Sequence, residues 1–296
     1  MKTENGQNGN TAVINGTSCA SNGKIYIIIS ALLLSVMGFM IRYMTGPMDI
    51  DVMTVVFFRS IISAAVIFVF TWARSEPVLG VNRKMLLLRG VTGSAGMILL
   101  FISISKTDLA NAMTLFYTFP VFSVLLAKFV AKERPGRAGF LILLSFAGVF
   151  LIVRPKFGTY DIGEICGLGS ALFAGMAIFL VRDLRKTDTP FNIAKYLALT
   201  GTAVTLPFAF KDNTWMTYPG ILMLCALGAI STAAQFYMTT GYRYCTNAQG
   251  GALSYISIPV SALIALVFFA EFPGIAEMAG MILVIVSGIM LFMSRE

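Results

Sequence analysis

Six residues inside long apolar stretches have a chemistry suited to holding a small molecule. They are Arg59, Tyr117, Pro120, Gln235, Tyr255 and Pro259. A guanidinium group binds a carboxylate or phosphate through paired hydrogen bonds, and a tyrosine offers a hydroxyl and a ring face. A proline inside a helix leaves one backbone carbonyl unpaired, which lipid tolerates only beside protein or a watery cavity. These residues therefore predict noncovalent binding in a cavity between helices.

Each of these residues also has a purely structural interpretation. Arg59 lies about seven residues into its stretch, roughly 10 Å deep at about 1.5 Å per residue, so its side chain can also reach the membrane interface. The two prolines can simply shape packing, and a single tyrosine on an apolar helix commonly packs. Gln235 forms a polar stripe with Ser231 and Thr232, which either lines the cavity or bonds a neighbouring helix. The sequence leaves these alternatives open.

The elements that must position these residues are membrane helices. Of the 296 residues, 57% are hydrophobic and 12% are charged, where soluble domains have about 25% charged residues. The continuously apolar runs are too long for barrel strands, and about 20 such residues cross the hydrocarbon as a helix. We therefore predict an all-α integral membrane protein of ten transmembrane helices, near 25–44, 52–73, 85–105, 109–130, 138–154, 163–181, 193–210, 218–241, 247–269 and 275–293.

One pattern occurs twice along the chain. Each copy has an asparagine, a proline near the middle of an apolar span, a carboxylate at its end and a glycine in the next span: Asn111, Pro120, Glu133 and Gly148, then Asn247, Pro259, Glu271 and Gly288. The prolines are 139 residues apart and the acids 138. Because each half holds an odd number of spans, the second half must enter the membrane from the opposite face. We predict two inverted five-helix repeats, 24–156 and 160–294, after a disordered polar tail over residues 1–23.

The distribution of basic residues predicts the orientation. The chain has 22 Lys and Arg against 14 Asp and Glu, a net charge of +8. With both termini cytoplasmic, sixteen basic residues fall in cytoplasmic tails and loops and five on the outer side, which is the positive-inside pattern. The excess of basic residues therefore reflects the membrane topology of the chain, and no nucleic-acid partner is expected. In this assignment Arg89 and Lys106 bound the third span as interface anchors.

Other kinds of site are excluded or disfavoured. The chain has no histidine and its four cysteines have no CxxC spacing, so a zinc site or a histidine-based triad is excluded, and no metal or cofactor is expected. The glycines Gly90, Gly93 and Gly96 lack the Gly-Lys-Ser/Thr that ends a phosphate-binding loop and instead favour close helix approach. Glu133 and Glu271 lie at span ends, where we expect each to bond the N-terminal amides of the next helix.

Two segments carry a family resemblance. The first runs from Leu109-Ala110-Asn111-Ala112 through Tyr117-Thr118-Phe119-Pro120 to Lys132-Glu133, and the second from Gln249 through Pro259-Val260 to Ala270-Glu271. The chain thereby resembles the EamA-type family of the drug/metabolite transporter superfamily. That resemblance implies ten helices as two inverted repeats around a central substrate cavity. It also implies a substrate among amino acids, nucleotide sugars, organic cations or other metabolites.

These observations predict a secondary transporter that moves a small metabolite by alternating access. The expected substrate is an amino acid or a related zwitterionic or cationic compound, although Arg59 favours one with an anionic group. An exporter of hydrophobic drugs or lipid-like compounds is the alternative, followed by a channel; an enzyme is not expected, because the spans lack paired acids and an activated nucleophile. The expected location is the plasma or inner membrane, with lipid as a partner and a monomer or homodimer as the assembly.

Overall fold

The computed structural model describes residues 21–73, 80–131, 138–153, 161–209, 214–245 and 247–293, and these are helical with no strand among them. The helices are α1 (Ser21–Thr45), α2 (Val52–Ala73), α3 (Arg83–Lys106), α4 (Leu109–Phe116), α5 (Phe119–Ala131), α6 (Ala138–Val153), α7 (Ile162–Leu184), α8 (Pro190–Thr205), α9 (Tyr218–Tyr244), α10 (Asn247–Ser254), α11 (Ser257–Phe269) and α12 (Ile275–Met293), with a short 3-10 turn at Leu206–Phe208. Helix α1 begins at Ser21, so residues 21–23, which we expected in the disordered tail, are helical. Residues 1–20 lie outside the described part of the chain.

Within the described part of the chain, six segments are long and apolar enough to cross a membrane. They are Ser21–Thr45, Val52–Ala73, Arg83–Lys106, Ile162–Val181, Tyr218–Tyr244 and Gln249–Phe269, and Ile275–Met290 is a shorter apolar helix. The multi-pass, all-helical class follows from these segments. Helices also occupy the other ranges predicted from the sequence, but α6 and α8 have only 16 residues each. The count of ten spans therefore stays a prediction.

The two proline-bearing spans are interrupted, where we expected continuous kinked helices. Thr118 N–H donates to Leu115 O and Val121 N–H to Thr118 O, so tight turns separate α4 from α5. Tyr255 N–H donates to the Ala252 carbonyl and Ile258 N–H to the Tyr255 carbonyl, so the same pattern separates α10 from α11, 137 residues later. The prolines lie in the first turns of α5 and α11. A backbone N–H in a first turn has no intrahelical acceptor, so proline loses no helical hydrogen bond there.

Helices of the first half pack mainly against helices of the second half. Helix α1 packs on α9, α3 on α7, α2 on α8 and α6 on α12. The first two contacts are equivalent under the sequence repeat, since α1 corresponds to α7 and α3 to α9. The last pair approaches closely because two glycines meet: an ideal Cβ on Gly148 would lie 2.8 Å from the Gly280 carbonyl oxygen. The halves therefore share one interface rather than forming separate bundles.

The helix ends define two opposite ends of the bundle. At the Arg42 end, Arg42 in the last turn of α1 donates to the carbonyl oxygens of Ile104 and Ser105, so α1 and α3 finish together. At the Arg185 end, Arg185 after α7 donates to the carbonyl oxygens of Tyr242 and Cys245, so α7 and α9 finish together. Helix α7 begins at the Arg42 end, because an ideal Cβ on Gly163 would lie 2.9 Å from Lys106 Cβ. Corresponding helices of the two halves thus run in opposite directions.

Candidate functional site

A small cavity of about 70 Å³ lies between the two halves near the helix break at Tyr117. Its polar lining residues are Ser30, Arg59, Arg89, Tyr117, Gln235 and Ser254, and the rest of the lining is glycine or apolar. Helices α1 to α5 contribute from the first half, and α7, α8, α9 and α10 from the second. The volume is well below the roughly 300–1,000 Å³ of small-molecule sites, so the helices must separate before a metabolite can enter.

Two buried arginines dominate the electrostatics of this cavity. Arg59 in α2 and Arg89 in α3 are each 2% exposed. Arg59 Nε, and Arg89 Nε and Nη1, have no hydrogen-bond partner. No carboxylate lines the cavity among the described residues. The site therefore holds two cationic groups, and three of their six nitrogens have no hydrogen-bond partner in the protein.

Arg89 was expected to anchor the third span at the interface, and that expectation is wrong. Its guanidinium group packs along α3 beside Gly93, one turn towards the C-terminal end, and a methyl group at Gly93 would overlap Arg89 Nη1. The Leu197 Cδ1 atom would lie 2.8 Å from the same methyl group. Glycine at position 93 therefore gives Arg89 the space to turn into the cavity. The sequence held two signals for this arrangement: Arg89 lies more than one turn past the helix start at Arg83, and a glycine follows one turn later.

Three of the six residues selected from the sequence meet in the cavity. Arg59, Tyr117 and Gln235 all line it, although they come from α2, the break before α5 and α9. Gln235 Oε1 is buried without a hydrogen-bond partner, and the buried Tyr117 hydroxyl makes no hydrogen bond of good geometry, although it lies near the Ser257 side chain. Such groups are normally satisfied inside proteins, so both are available to a bound solute. Arg59 faces this interior cavity. The alternative prediction, in which its side chain reaches the membrane interface, does not describe this position.

The other three selected residues lie away from the cavity lining. Pro120 is buried at the start of α5, where its Cβ would be 2.8 Å from an ideal Cβ on Gly251. Pro259 is on an exposed face of α11. The Tyr255 ring packs closely on Gly288 of α12, where it would overlap a methyl group. Of the three, Pro120 is the one that lies where the two broken spans meet.

A difference of one residue in register explains why Tyr117 lines the cavity and Tyr255 does not. The two helix breaks match at an offset of 137 residues in their backbone hydrogen bonds. At that offset Tyr117 corresponds to Ser254, and both line the cavity, whereas Tyr255 corresponds to Thr118. One residue turns a helical side chain by about 100°, so a shift of this size moves it to another face. Ser254, which sequence reasoning missed, is the structural counterpart of Tyr117.

A second polar cluster joins the halves at the Arg42 end. Arg42 Nη2 lies 2.7 Å from Glu271 Oε1, and Arg42 Nε donates to the same oxygen at 2.9 Å. Glu271 Oε2 accepts the Leu109 N–H at 2.9 Å. We expected Glu271 to bond the amides of the next helix, α12, but its carboxylate instead bonds the first amide of α4, in the other half. Glu133, its counterpart in the sequence repeat, lies outside the described residues.

Asp108 adds a titratable carboxyl to this end of the bundle. It lies between α3 and α4 and makes no side-chain capping hydrogen bond to α4. Partial burial, followed by the negative charge of Glu271, raises the pKa of Asp108 above its ordinary value, while Arg42 acts in the opposite direction. Glu277 and Asp161 add smaller effects in the raising direction. Ionisation of Asp108 is therefore less favourable in the folded protein than in the unfolded chain.

Two other hollows are larger but less suited to hold a polar solute. One of about 340 Å³ between α2, α8 and α9 is lined by Phe70, Phe191, Phe236 and other mainly apolar residues. Another of about 450 Å³ lies beside the loop after α1 and includes Asp49, Asp51 and Lys106. Neither has a buried charged group among its described lining residues, so the central cavity is the better candidate.

Comparison with known proteins matches almost the whole chain to transporters. The model of the EamA-like transporter family matches residues 21–154 and 161–293. The pseudopaline exporter CntI of Pseudomonas aeruginosa is 26% identical over 281 residues, covering 93% of this chain and 97% of that protein. Solute carrier family 35 member G1 of Mus musculus is 25% identical and covers 91% of this chain and 77% of its own length. The S-adenosylmethionine uptake transporter of Rickettsia felis is 20% identical, with 82% and 83% covered.

A solved structure has the same fold. The chain superposes on it with a TM-score of 0.62 at 19% identity, covering 90% of this chain and 98% of the other. At this identity the likeness concerns the fold alone. The two segments matched by the family model coincide with the two halves whose helices pair across the interface.

Proposed function

The chain belongs to the EamA-like transporter family, and on this premise we propose that it is a secondary transporter that moves a small metabolite across the membrane by alternating access. The observation that carries the proposal is the central cavity. It is formed by both halves, lies at a helix break, and holds two buried arginines with unused hydrogen-bonding groups. A buried charge in a membrane protein is costly and typically marks a substrate or ion pathway.

The proposed topology has ten spans arranged as two inverted five-helix repeats. It is supported by the opposite directions of corresponding helices and by the paired contacts α1–α9 and α3–α7. Each broken span, α4 with α5 and α10 with α11, counts as one span in this arrangement. The excess of basic residues in the predicted cytoplasmic loops supports an Arg42 end that faces outward and an Arg185 end that faces the cytoplasm, in the plasma or inner membrane.

The proposed transport cycle opens the cavity at one end while the other stays closed. In the conformation described, the Arg42–Glu271 pair joins the two halves at the Arg42 end. Arg185 holds α7 and α9 together at the opposite end. A cavity of about 70 Å³ fits a tightly packed intermediate rather than an open state. Loading then requires that the contacts at one end separate, which a pair of inverted halves allows at either end.

The proposed substrate is an amino acid or related metabolite with at least one anionic group. The cationic compounds of the sequence-based expectation are disfavoured, because two guanidinium groups and no described carboxylate line the cavity. Export of hydrophobic compounds is the second candidate, supported by the largely apolar remainder of the lining, including Met37, Met97 and Phe116. The proposed partners are the solute and the surrounding lipid, with the protein as a monomer or homodimer.

Transport by reconstituted protein tests this function. Proteoliposomes are incubated with a defined mixture of amino acids, dicarboxylates, sugar phosphates and polyamines, and mass spectrometry measures which solutes enter. We expect saturable uptake of one chemical class above protein-free vesicles. Flux that does not saturate would favour the channel alternative, and uptake of hydrophobic dyes alone would favour the drug exporter. No uptake above protein-free vesicles, for solutes or dyes, would overturn the proposal.

A further inference from the structure

The cavity carries two formal positive charges that nothing in the described part of the protein neutralises. Arg59 and Arg89 are both 2% exposed, and three of their guanidinium nitrogens are buried without a hydrogen-bond partner. The acidic side chains described at the Arg42 end, such as Glu271, do not line the cavity. Intramembrane arginines usually have a partner. A bound ligand can therefore supply the missing partner.

The two arginines are directed at a common space, and the position of Arg89 is constrained by its surroundings. Arg89 lies in the gap left by Gly93, and α3 is packed against α7 and α8 around it. Arg59 lies on α2, which packs against α8 and α9. Both side chains reach the same cavity from neighbouring helices of the first half. Two buried guanidinium groups at one cavity favour a ligand that contacts both at once.

From this arrangement we infer that the transported solute carries two negative charges, one for each guanidinium group. A monoanion would leave one arginine buried and unpaired, which is the costly state that binding should relieve. Two carboxylates on a short chain, or one phosphate dianion, satisfy the same requirement. Tyr117 and Gln235 then offer a neutral hydroxyl and amide to the remainder of the solute.

This inference deepens the proposed transport function and rests on it. Binding is measured by the thermal shift of the purified full-length protein at constant ionic strength. The probes are succinate and glycerol 3-phosphate as dianions, butyrate as a monoanion and putrescine as a dication. We expect succinate, glycerol 3-phosphate or both to raise the melting temperature. Butyrate should bind about ten- to a hundredfold more weakly than the dianion, and putrescine should have no effect. Comparing the shifts with succinate and with glycerol 3-phosphate shows whether the site prefers a dicarboxylate or a phosphate.

Variants separate a binding role from a structural one. R59M and R89M each remove one charge, and each should abolish the preference for the dianion over butyrate. Arg83→Gln removes an exposed charge six residues before Arg89 on α3 and should leave the preference unchanged. Without ligand, the double variant R59M/R89M should melt no lower than the wild type, because two unpaired buried charges are gone. A large loss of stability in that variant would assign the arginines a structural role and overturn the inference.

The inference and the transport function can fail separately. Equal binding of butyrate and the dianions, or no binding of either dianion, would overturn the inference. If proteoliposomes then still accumulate a monoanion, zwitterion or cation saturably, the transport function stands without it. If no solute or dye is accumulated at all, the transport function itself fails.

Discussion

Arg42 and Glu271 form an ion pair that joins the first half of the chain to the second, with Nη2 and Oε1 2.7 Å apart. Their side chains are 24% and 10% exposed. Each partner also bonds the backbone of another helix: Arg42 bonds the end of α3, and Glu271 bonds the first amide of α4. One ion pair therefore gathers four helix ends at this end of the bundle.

Removing the carboxylate of this pair should destabilise the protein more than removing an equally short exposed pair. Glu271→Ala leaves the Arg42 guanidinium and the Leu109 amide without that partner, which should cost about 1–3 kcal/mol. Asp183→Ala is the matched control, because Lys186 and Asp183 are also 2.7 Å apart but 65% and 52% exposed. That change should cost under about 1 kcal/mol. Thermal melting of both variants in one detergent compares them, and equal effects would contradict a special role for Glu271.

Weakening the two ends should shift the conformational equilibrium in opposite directions. Arg42→Gln loosens the Arg42 end, whereas Arg185→Gln loosens the carbonyl contacts with Tyr242 and Cys245. A cysteine introduced at Leu100, which lines the cavity, reports which end is open. With Cys166 and Cys225 replaced by serine, a membrane-impermeant maleimide should label L100C faster from outside in R42Q and faster from inside in R185Q.

The control for this labelling experiment is the same serine background without L100C, which gives the rate at the other cysteines. Vesicles of both orientations supply access from the two sides. The result that would contradict alternating access is a parallel change, in which both variants raise labelling from the same side.

Adding one methyl group at Gly93 should impair solute binding in the cavity. Gly93→Ala overlaps the Arg89 guanidinium, so Arg89 must leave its place or α3 must move, and overpacking of this kind costs about 1–3 kcal/mol. We expect a lower melting temperature and at least tenfold weaker solute uptake. Gly169→Ala is the control, since its nearest neighbour is the Leu99 Cδ1 atom at 3.3 Å, the far end of a flexible side chain. If G93A retains wild-type uptake, solute uptake does not depend on the position of Arg89 beside Gly93.

The two tyrosines that precede the prolines should behave differently when the hydroxyl is removed. Tyr117→Phe removes a buried cavity hydroxyl that lacks a well-formed hydrogen bond, and it should weaken solute binding about three- to tenfold, the value of one neutral hydrogen bond. Tyr255→Phe removes a hydroxyl that packs against α12 and should change binding less than about twofold. Titration with the solute that gives the largest thermal shift measures both. A larger effect for Y255F would mean that the cavity extends to α12.

Asp108 should make the stability depend on pH. Because its pKa is raised in the folded protein, the ionised carboxylate disfavours folding above that pKa, and this penalty is lost as the pH falls through it. Asp108→Asn should therefore raise the melting temperature near pH 7. The gain should disappear in acid, below the ordinary aspartate pKa of about 3.9, where the wild-type carboxyl is protonated in both states. Melting curves across this range check the sign, and a gain that persists in acid would point to a cause other than charge.

The sequence alone determined the class of this protein and its repeat. Lipid requires long apolar helices, and this requirement leaves a local signal that needs no knowledge of distant contacts. The repeated Asn–Pro–Glu pattern predicted two halves, and the family model matches the chain twice, over residues 21–154 and 161–293. Arg59 was recognisable because a charged residue stands out within an apolar run.

Only the tertiary structure decided which polar side chains meet. Arg89 looked like an interface residue because its depth depends on how α3 packs against α7 and α8. Tyr117 and Tyr255 looked equivalent, yet a register difference of one residue at the helix breaks turns them to different faces. Glu271 found its partners on α1 and α4, more than 160 residues away in sequence. Such contacts depend on helix rotation and long-range packing, and neither leaves a local pattern in the chain.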